Sequence, residues 1–266
     1  MDVIEAIILG ILQGLTEFLP VSSSGHIEIG KELLNITDKK DLTFTVLVHG
    51  GTVLSTIVVF RKDILEIFRG LRDGIRNKEM NESMVYSLKI IISMIPVGIV
   101  GLLFKDEIES FFFGNIFLIG IMLILTAVLL AFTYFVMKNE KEITYGKAFI
   151  IGVAQSVAVL PGISRSGATI ATALLLKVKR EDAAKFSFLM VIVPIIGANV
   201  KDLLSGDLVN TGIAAAPLVA GFLASFITGL IACNWMLKIV KTGNLIYFTV
   251  YCLIVGSIAV YFGANI

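Results

Sequence analysis

Two short stretches hold the residues best suited to chemistry: QGLTEFLPVSSSGH at 13–26 and PGISRSGAT at 161–169. Gln13 and Glu17 are four residues apart, which puts them on one helix face, near the helix end where the dipole disfavours a carboxylate. That placement suits Glu17 to proton transfer or to holding a divalent cation. After Pro20, the residues Ser22, Ser23 and Ser24 open a new helix whose free backbone N–H groups can bind an anion, with Gly25 in the same turn. His26 follows Ser23 by three positions, so imidazole and hydroxyl lie on one side as a candidate base and nucleophile, and either can in principle take a phosphoryl group. Arg165, between Ser164 and Ser166 at a second helix start, offers a planar guanidinium that fits a phosphate. A structural ion pair with Glu17 is the alternative use of that charge.

These residues matter because of where they sit. Of 266 residues, 56% are hydrophobic and 16% charged, with a mean hydropathy of +0.92, far above the balance of soluble domains. Ionisable groups at membrane depth are costly and default to functional candidates. Away from loops and span ends they are Glu17, His26, Glu28, His49 and Arg165. His49 and Glu28 receive no role from the sequence: His49 suits helix packing as well as support of the site, and Glu28 can face water. A net charge of +1 supplies no basic field for nucleic acid. Cys233 and Cys252 lie in apolar stretches without metal-type spacing and read as packing residues.

The elements that position the site follow from apolar run lengths. Six stretches are long enough to span a bilayer core, at about 20 residues each: 44–60, 85–104, 115–137, 183–203, 213–237 and 244–264. Residues 2–19 and 146–160 are apolar helices that run into Pro20 and Pro161, and each is followed by a Ser/Gly break and a helix too short to cross. They are expected to be re-entrant hairpins. Fifteen of the 22 Lys and Arg residues fall in 61–80, 138–147, 177–185 and 238–243, which places those segments on the cytoplasmic side. At an offset of 142 residues the chain matches itself: Gly10 with Gly152, Gln13 with Gln155, Ser22 with Ser164, Ser24 with Ser166, Gly25 with Gly167 and Phe44 with Phe186. One hairpin plus three spans per half inverts the second half relative to the first. The expected fold is an all-α, polytopic, single membrane domain over 1–266, with repeat 1 about 1–137 and repeat 2 about 143–266.

The stretches EFLPVSSSGH, FxVxxHxGT at 44–52 and PGISRSGAT together resemble the undecaprenyl-diphosphatase family, the bacitracin-resistance type of membrane phosphatase. The resemblance covers essentially the whole chain. It implies hydrolysis of a polyprenyl diphosphate to the monophosphate that carries glycan building blocks, in the cell membrane, at a site open to the outer face. It also implies dependence on a divalent cation, Mg or Ca, held with the help of Glu17. By motif, Ser23 would be the nucleophile, His26 and Glu17 would handle protons or metal, and Arg165 would hold the diphosphate. Gln13, Ser22, Ser24, Gly25, Ser164, Ser166 and Thr169 would line the substrate. Gln13 departs from the family's usual second glutamate, and Ser24 from its frequent threonine. The type 2 phosphatidic-acid phosphatases share an SSGH-like fragment but need a histidine where this chain has Ala171. A lipid-phosphate transporter or flippase on the same inverted-repeat plan is the alternative from another class. The oligomeric state, a homodimer included, is left open.

Overall fold

The computed structural model describes residues 1–34, 36, 42–112, 114–136, 141–204 and 214–265, and these are almost wholly helical, without a strand ladder. In chain order the helices are α1 (Val3–Phe18), α2 (Ser23–Leu33), α3 (Leu42–Val59), α4 (Arg61–Asn77), α5 (Glu82–Leu103), α6 (Lys105–Phe112) and α7 (Ile116–Phe132). They continue with α8 (Tyr145–Val157), α9 (Arg165–Leu175), α10 (Arg180–Met190), α11 (Ile192–Leu204), α12 (Ala215–Thr242) and α13 (Ile246–Gly263). The stretches 37–41 and 205–212 between the expected elements lie outside the described residues.

Among the described residues, four helices are long and apolar enough to cross a membrane: α5, α7 with its 3₁₀ extension to Phe135, α12 and α13. Their outward faces carry exposed Ile91, Ile95 and Ile99 on α5, Ile227 and Ile231 on α12, and Ile254 and Ile258 on α13, as a lipid-facing surface requires. Helix α3 meets the same test only together with α4, from which it is bent by 71°. The single helix expected over 183–203 is instead two, α10 and α11. Pro194, in the first turn of α11, lacks an N–H and its ring crowds the carbonyl four residues back, so the ladder is interrupted near Val191.

The two proline breaks come out as expected in place and differ in shape. Helix α1 starts with a reciprocal capping box, Asp2 Oδ1 accepting from Glu5 N–H and Glu5 Oε2 from Asp2 N–H. It ends at Leu19, extended as a residue before proline must be. Ser22 then adopts φ 70°, a left-handed backbone, and caps α2 by accepting from Gly25 N–H at 3.3 Å. In the second motif the positive φ falls on Gly162 (+95°), and Ser164 caps α9 by accepting from Gly167 N–H at 3.0 Å.

The tips of these two motifs touch. Ser24 Oγ accepts from Gly162 N–H at 3.4 Å, and Ser166 Oγ donates to the Leu19 carbonyl at 3.2 Å. A Cβ on Gly25 would lie 3.2 Å from Gly162 Cα, and one on Gly167 would lie 3.2 Å from Pro20 Cβ. Each contact has its counterpart at or next to the 142-residue offset. The arms are packed alike: α1 lies along α12, and α8 along α5.

Close helix approach takes the place of a water-driven core here, since lipid tails are as apolar as leucine. Gly14 sits against α12, where a Cβ would be 2.5 Å from Ser225 O and 2.9 Å from Gly229 N. Gly14→Leu is therefore expected to push α1 off α12 and to lower stability by about 1–3 kcal/mol or more, read as a fall in the thermal midpoint of the detergent-purified protein. An unchanged midpoint would mean that this contact does not hold α1.

Candidate functional site

The touching tips bring Glu17, near the end of α1, to Arg165, at the first position of α9. The guanidinium Nη2 donates to Glu17 Oε1 across a sequence gap of 148 residues. The other carboxylate oxygen, Oε2, accepts from Ser23 Oγ at 2.6 Å and from Gln13 Nε2 at 2.9 Å. Gln13 therefore serves Glu17 through the i, i+4 spacing, as a neutral donor. Glu17 is 6% exposed and Arg165 27%, so the acid is shut in while the guanidinium keeps an open side.

His49 on α3 completes the cluster, with Nε2 3.9 Å from Glu17 Oε2 and Nδ1 2.9 Å from the Thr45 carbonyl. The sequence marked His49 as an ionisable group in an apolar run but could not assign it. Its place was partly readable: His49, Thr52 and Thr56 recur at i, i+3 and i+7 on one helix face, and both threonines line the same cleft as Glu17. Glu28, also unassigned, pairs with Lys31 at 3.7 Å one turn on.

The pairing of Ser23 with His26 suggested by their spacing is not formed. His26 Nδ1 lies 2.8 Å from the Ser22 carbonyl, and Nε2 lies 2.8 Å from the hydroxyl of Tyr251 on α13. Glu17 takes the Ser23 hydroxyl instead. Tyr251 had no signal in the sequence, being one of several tyrosines in an apolar span.

The remaining predicted residues form the shell of the two turns. Ser22 and Ser24 lie hydroxyl to hydroxyl at 3.3 Å, and Ser164 and Ser166 at 3.2 Å. Gly25 lies at the tip contact. Thr169 donates to the Arg165 carbonyl at 2.8 Å and bonds Ser187 on α10. It is buried, whereas Ser187 reaches the cleft. Thr126 on α7 accepts from Ser164 N–H at 3.0 Å and steadies the second turn.

The cleft is narrow and partly open, and it has two chemically distinct walls. Glu17, Arg165, Ser166, Thr52, Thr56 and Ser187 make the polar one; Phe18, Val53, Phe188, Val191 and Ile195 make the apolar one. A ligand with a phosphate head and a hydrocarbon body matches that division.

Comparison with known sequences decides the family. The profile of the Bacitracin resistance protein BacA family matches residues 6–258. The chain belongs to this family. An undecaprenyl-diphosphatase of Christiangramia forsetii is 52% identical over 98% of both chains, and one of Bacteroides fragilis NCTC 9343 is 50% identical over 98% of both. An archaeal relative with the same name, from Methanococcus vannielii, is 41% identical over 97% of this chain and 99% of its own.

The donor set of this chain bears on a metal cofactor. Among the described residues no three His, Cys, Asp or Glu side chains come together, and Glu17 is the one carboxylate of the cluster. That fits the way magnesium is usually held, by one or two carboxylates with substrate phosphates supplying further ligands. It does not make an all-protein cation cage.

Removing one member of a buried ion pair leaves the other charge uncompensated and costs roughly 3–5 kcal/mol, whereas replacing both is often neutral. Arg165→Met is thus expected to lower the unfolding midpoint of the chain strongly, and Glu17→Gln combined with Arg165→Met to recover most of the loss. Equal midpoints for single and double variants would show that the pair is solvated in the native protein.

Proposed function

We infer that this chain hydrolyses undecaprenyl diphosphate, or a similar polyprenyl diphosphate, to the monophosphate and inorganic phosphate, recycling the lipid carrier of cell-envelope glycan synthesis. The observation that carries this reading is the Glu17–Ser23–Arg165 cluster at the polar wall of an apolar cleft, in a chain about half identical to undecaprenyl-diphosphatases over its full length.

The arrangement supports a definite order of events. The incoming diphosphate competes with Glu17 for Arg165, whose planar fork matches phosphate oxygens. Exchange of that partner frees a carboxylate oxygen beside the Ser23 hydroxyl. Ser23 Oγ then attacks the terminal phosphorus while its proton passes to Glu17, and the bond to the bridging oxygen breaks. Undecaprenyl phosphate leaves, and water releases phosphate from the serine ester in a second displacement. The 2.6 Å hydrogen bond from Ser23 to Glu17 favours Ser23 over His26 as nucleophile. The Ser22, Ser24, Ser164 and Ser166 turns, with the helix starts of α2 and α9, supply donors around the phosphates. A divalent cation arriving with the diphosphate would be held on the protein side by Glu17 and would supply charge neutralisation.

The membrane arrangement follows the same reading. The paired contacts at the tips support two inverted repeats, about 1–137 and 143–266, with α1–α2 and α8–α9 as re-entrant hairpins that enter from opposite faces. Six spans complete it: α3, α5, α7, the broken α10–α11, α12 and α13. The clustering of basic residues in 61–80 and 177–185 puts those loops in the cytoplasm and opens the first hairpin to the outer face of the cell membrane.

Phosphate release from farnesyl or undecaprenyl diphosphate, with magnesium or calcium, by the purified protein tests the reading. Ser23→Ala, Glu17→Gln and Arg165→Lys are each expected to lose at least about a hundredfold in kcat, with His26→Ala also strongly impaired. Absence of release from a folded wild-type sample would overturn the phosphatase reading and point to lipid-phosphate transport on this scaffold.

A further inference from the structure

Tyr251 is absent from both motifs, yet it makes the only side-chain hydrogen bond given to His26 among the described residues. Its setting is built on three sides. First, α13 is docked against the first hairpin, with Cys252 Sγ 3.5 Å from the Pro20 carbonyl and fully buried. Second, the Tyr251 and His26 rings lie nearly parallel, 13° apart with centroids at 5.6 Å. Third, the left-handed turn at Ser22 aims its carbonyl back along α2, where it accepts both His26 N–H, at 3.2 Å, and the ring Nδ1, at 2.8 Å.

Elementary donor and acceptor rules then set the state of the imidazole. A carbonyl oxygen only accepts, so Nδ1 must carry a proton. In the neutral ring the lone pair is therefore on Nε2, and the Tyr251 hydroxyl, 2.8 Å away, donates to it. If Nε2 gains a proton, the same phenolic oxygen can turn and accept, because a hydroxyl has both capacities. The contact survives either charge state of the ring, which a carbonyl or an ammonium in that place would not allow.

We propose that Tyr251 is a positioning residue for hydrolysis, its hydroxyl donating to His26 Nε2 and so holding the ring in the Nδ1–H tautomer at the first hairpin. The assignment rests on the phosphatase reading above, in which loss of the His26 side chain impairs turnover. Tyr251 acts through His26: it is bonded to the ring and is not among the residues that line the cleft.

Tyr251→Phe removes the hydroxyl and keeps the ring. Two readouts separate positioning from packing: steady-state kinetics with farnesyl diphosphate, and the ¹⁵N spectrum of the chain's two histidines, assigned with His49→Gln. The expected result is a fall in kcat of about tenfold, the size of one lost hydrogen bond, with KM within about twofold of wild type. The His26 Nε2 resonance should move toward that of an unbonded ring nitrogen. Wild-type kcat in Tyr251→Phe would overturn the proposal, and so would a lower kcat with an unmoved Nε2 resonance. A raised KM with unchanged kcat would also overturn it, by making the hydroxyl a substrate contact. If wild type itself releases no phosphate, the phosphatase reading fails; the spectrum then still reports the Tyr251–His26 bond, so the two failures are distinguishable.

Discussion

The structure turns on one buried ion pair that joins the two halves of the chain. Glu17 closes α1, Arg165 opens α9, and neither charge is tolerable at that depth without the other. Everything near them serves that meeting. The proline breaks stop two helices short, the serine and glycine turns let the stumps approach, and α12 and α5 hold the arms α1 and α8 through contacts between small residues. An ion pair is also a poor use of buried charge for stability alone, since well-packed apolar residues would serve as well or better. Its retention at the polar wall of an open cleft makes sense when a second anion can compete for the guanidinium.

The two motifs contribute unequally although they match each other at one offset. Ser23 and Arg165 occupy matching positions in the two turns, 142 residues apart. One half supplies a hydroxyl and a carboxylate, and the other supplies the cation. At position 159, matching Glu17, the second half has valine; at position 168, matching His26, it has alanine. In the proposed reaction one turn carries the nucleophile and the other the guanidinium that holds the phosphate. The shared turn chemistry, a serine cap followed by a free helix N-terminus, is useful to both.

The cleft extends the same division of labour to the substrate. Its polar wall draws on α1, α3, α9 and α10, and its apolar wall on α1, α3, α10 and α11. The break between α10 and α11 at Val191 lies on that apolar wall. A continuous helix would run past the site, whereas the interruption caused by Pro194 leaves Val191 and Ile195 facing the space beside Phe18 and Phe188.

What the sequence determined by itself is what local rules and burial cost control. Apolar run length announced the helices, proline and serine placed both breaks, the i, i+4 rule joined Gln13 to Glu17, and the cost of charge in lipid singled out Glu17, His26, His49 and Arg165, together with Glu28, which pairs locally with Lys31. The self-match at 142 residues foretold that the two motifs would meet. What only the tertiary structure decided is how partners pair across long separations. Ser23 turns to Glu17 rather than to His26, because the left-handed turn at Ser22 ties the imidazole to its own carbonyl and α13 brings a tyrosine hydroxyl to the other nitrogen. His49 joins the site because α3 packs beside α1. Such choices depend on directions set by helix packing, and spacing along one strand of sequence carries no information about a donor 225 residues away.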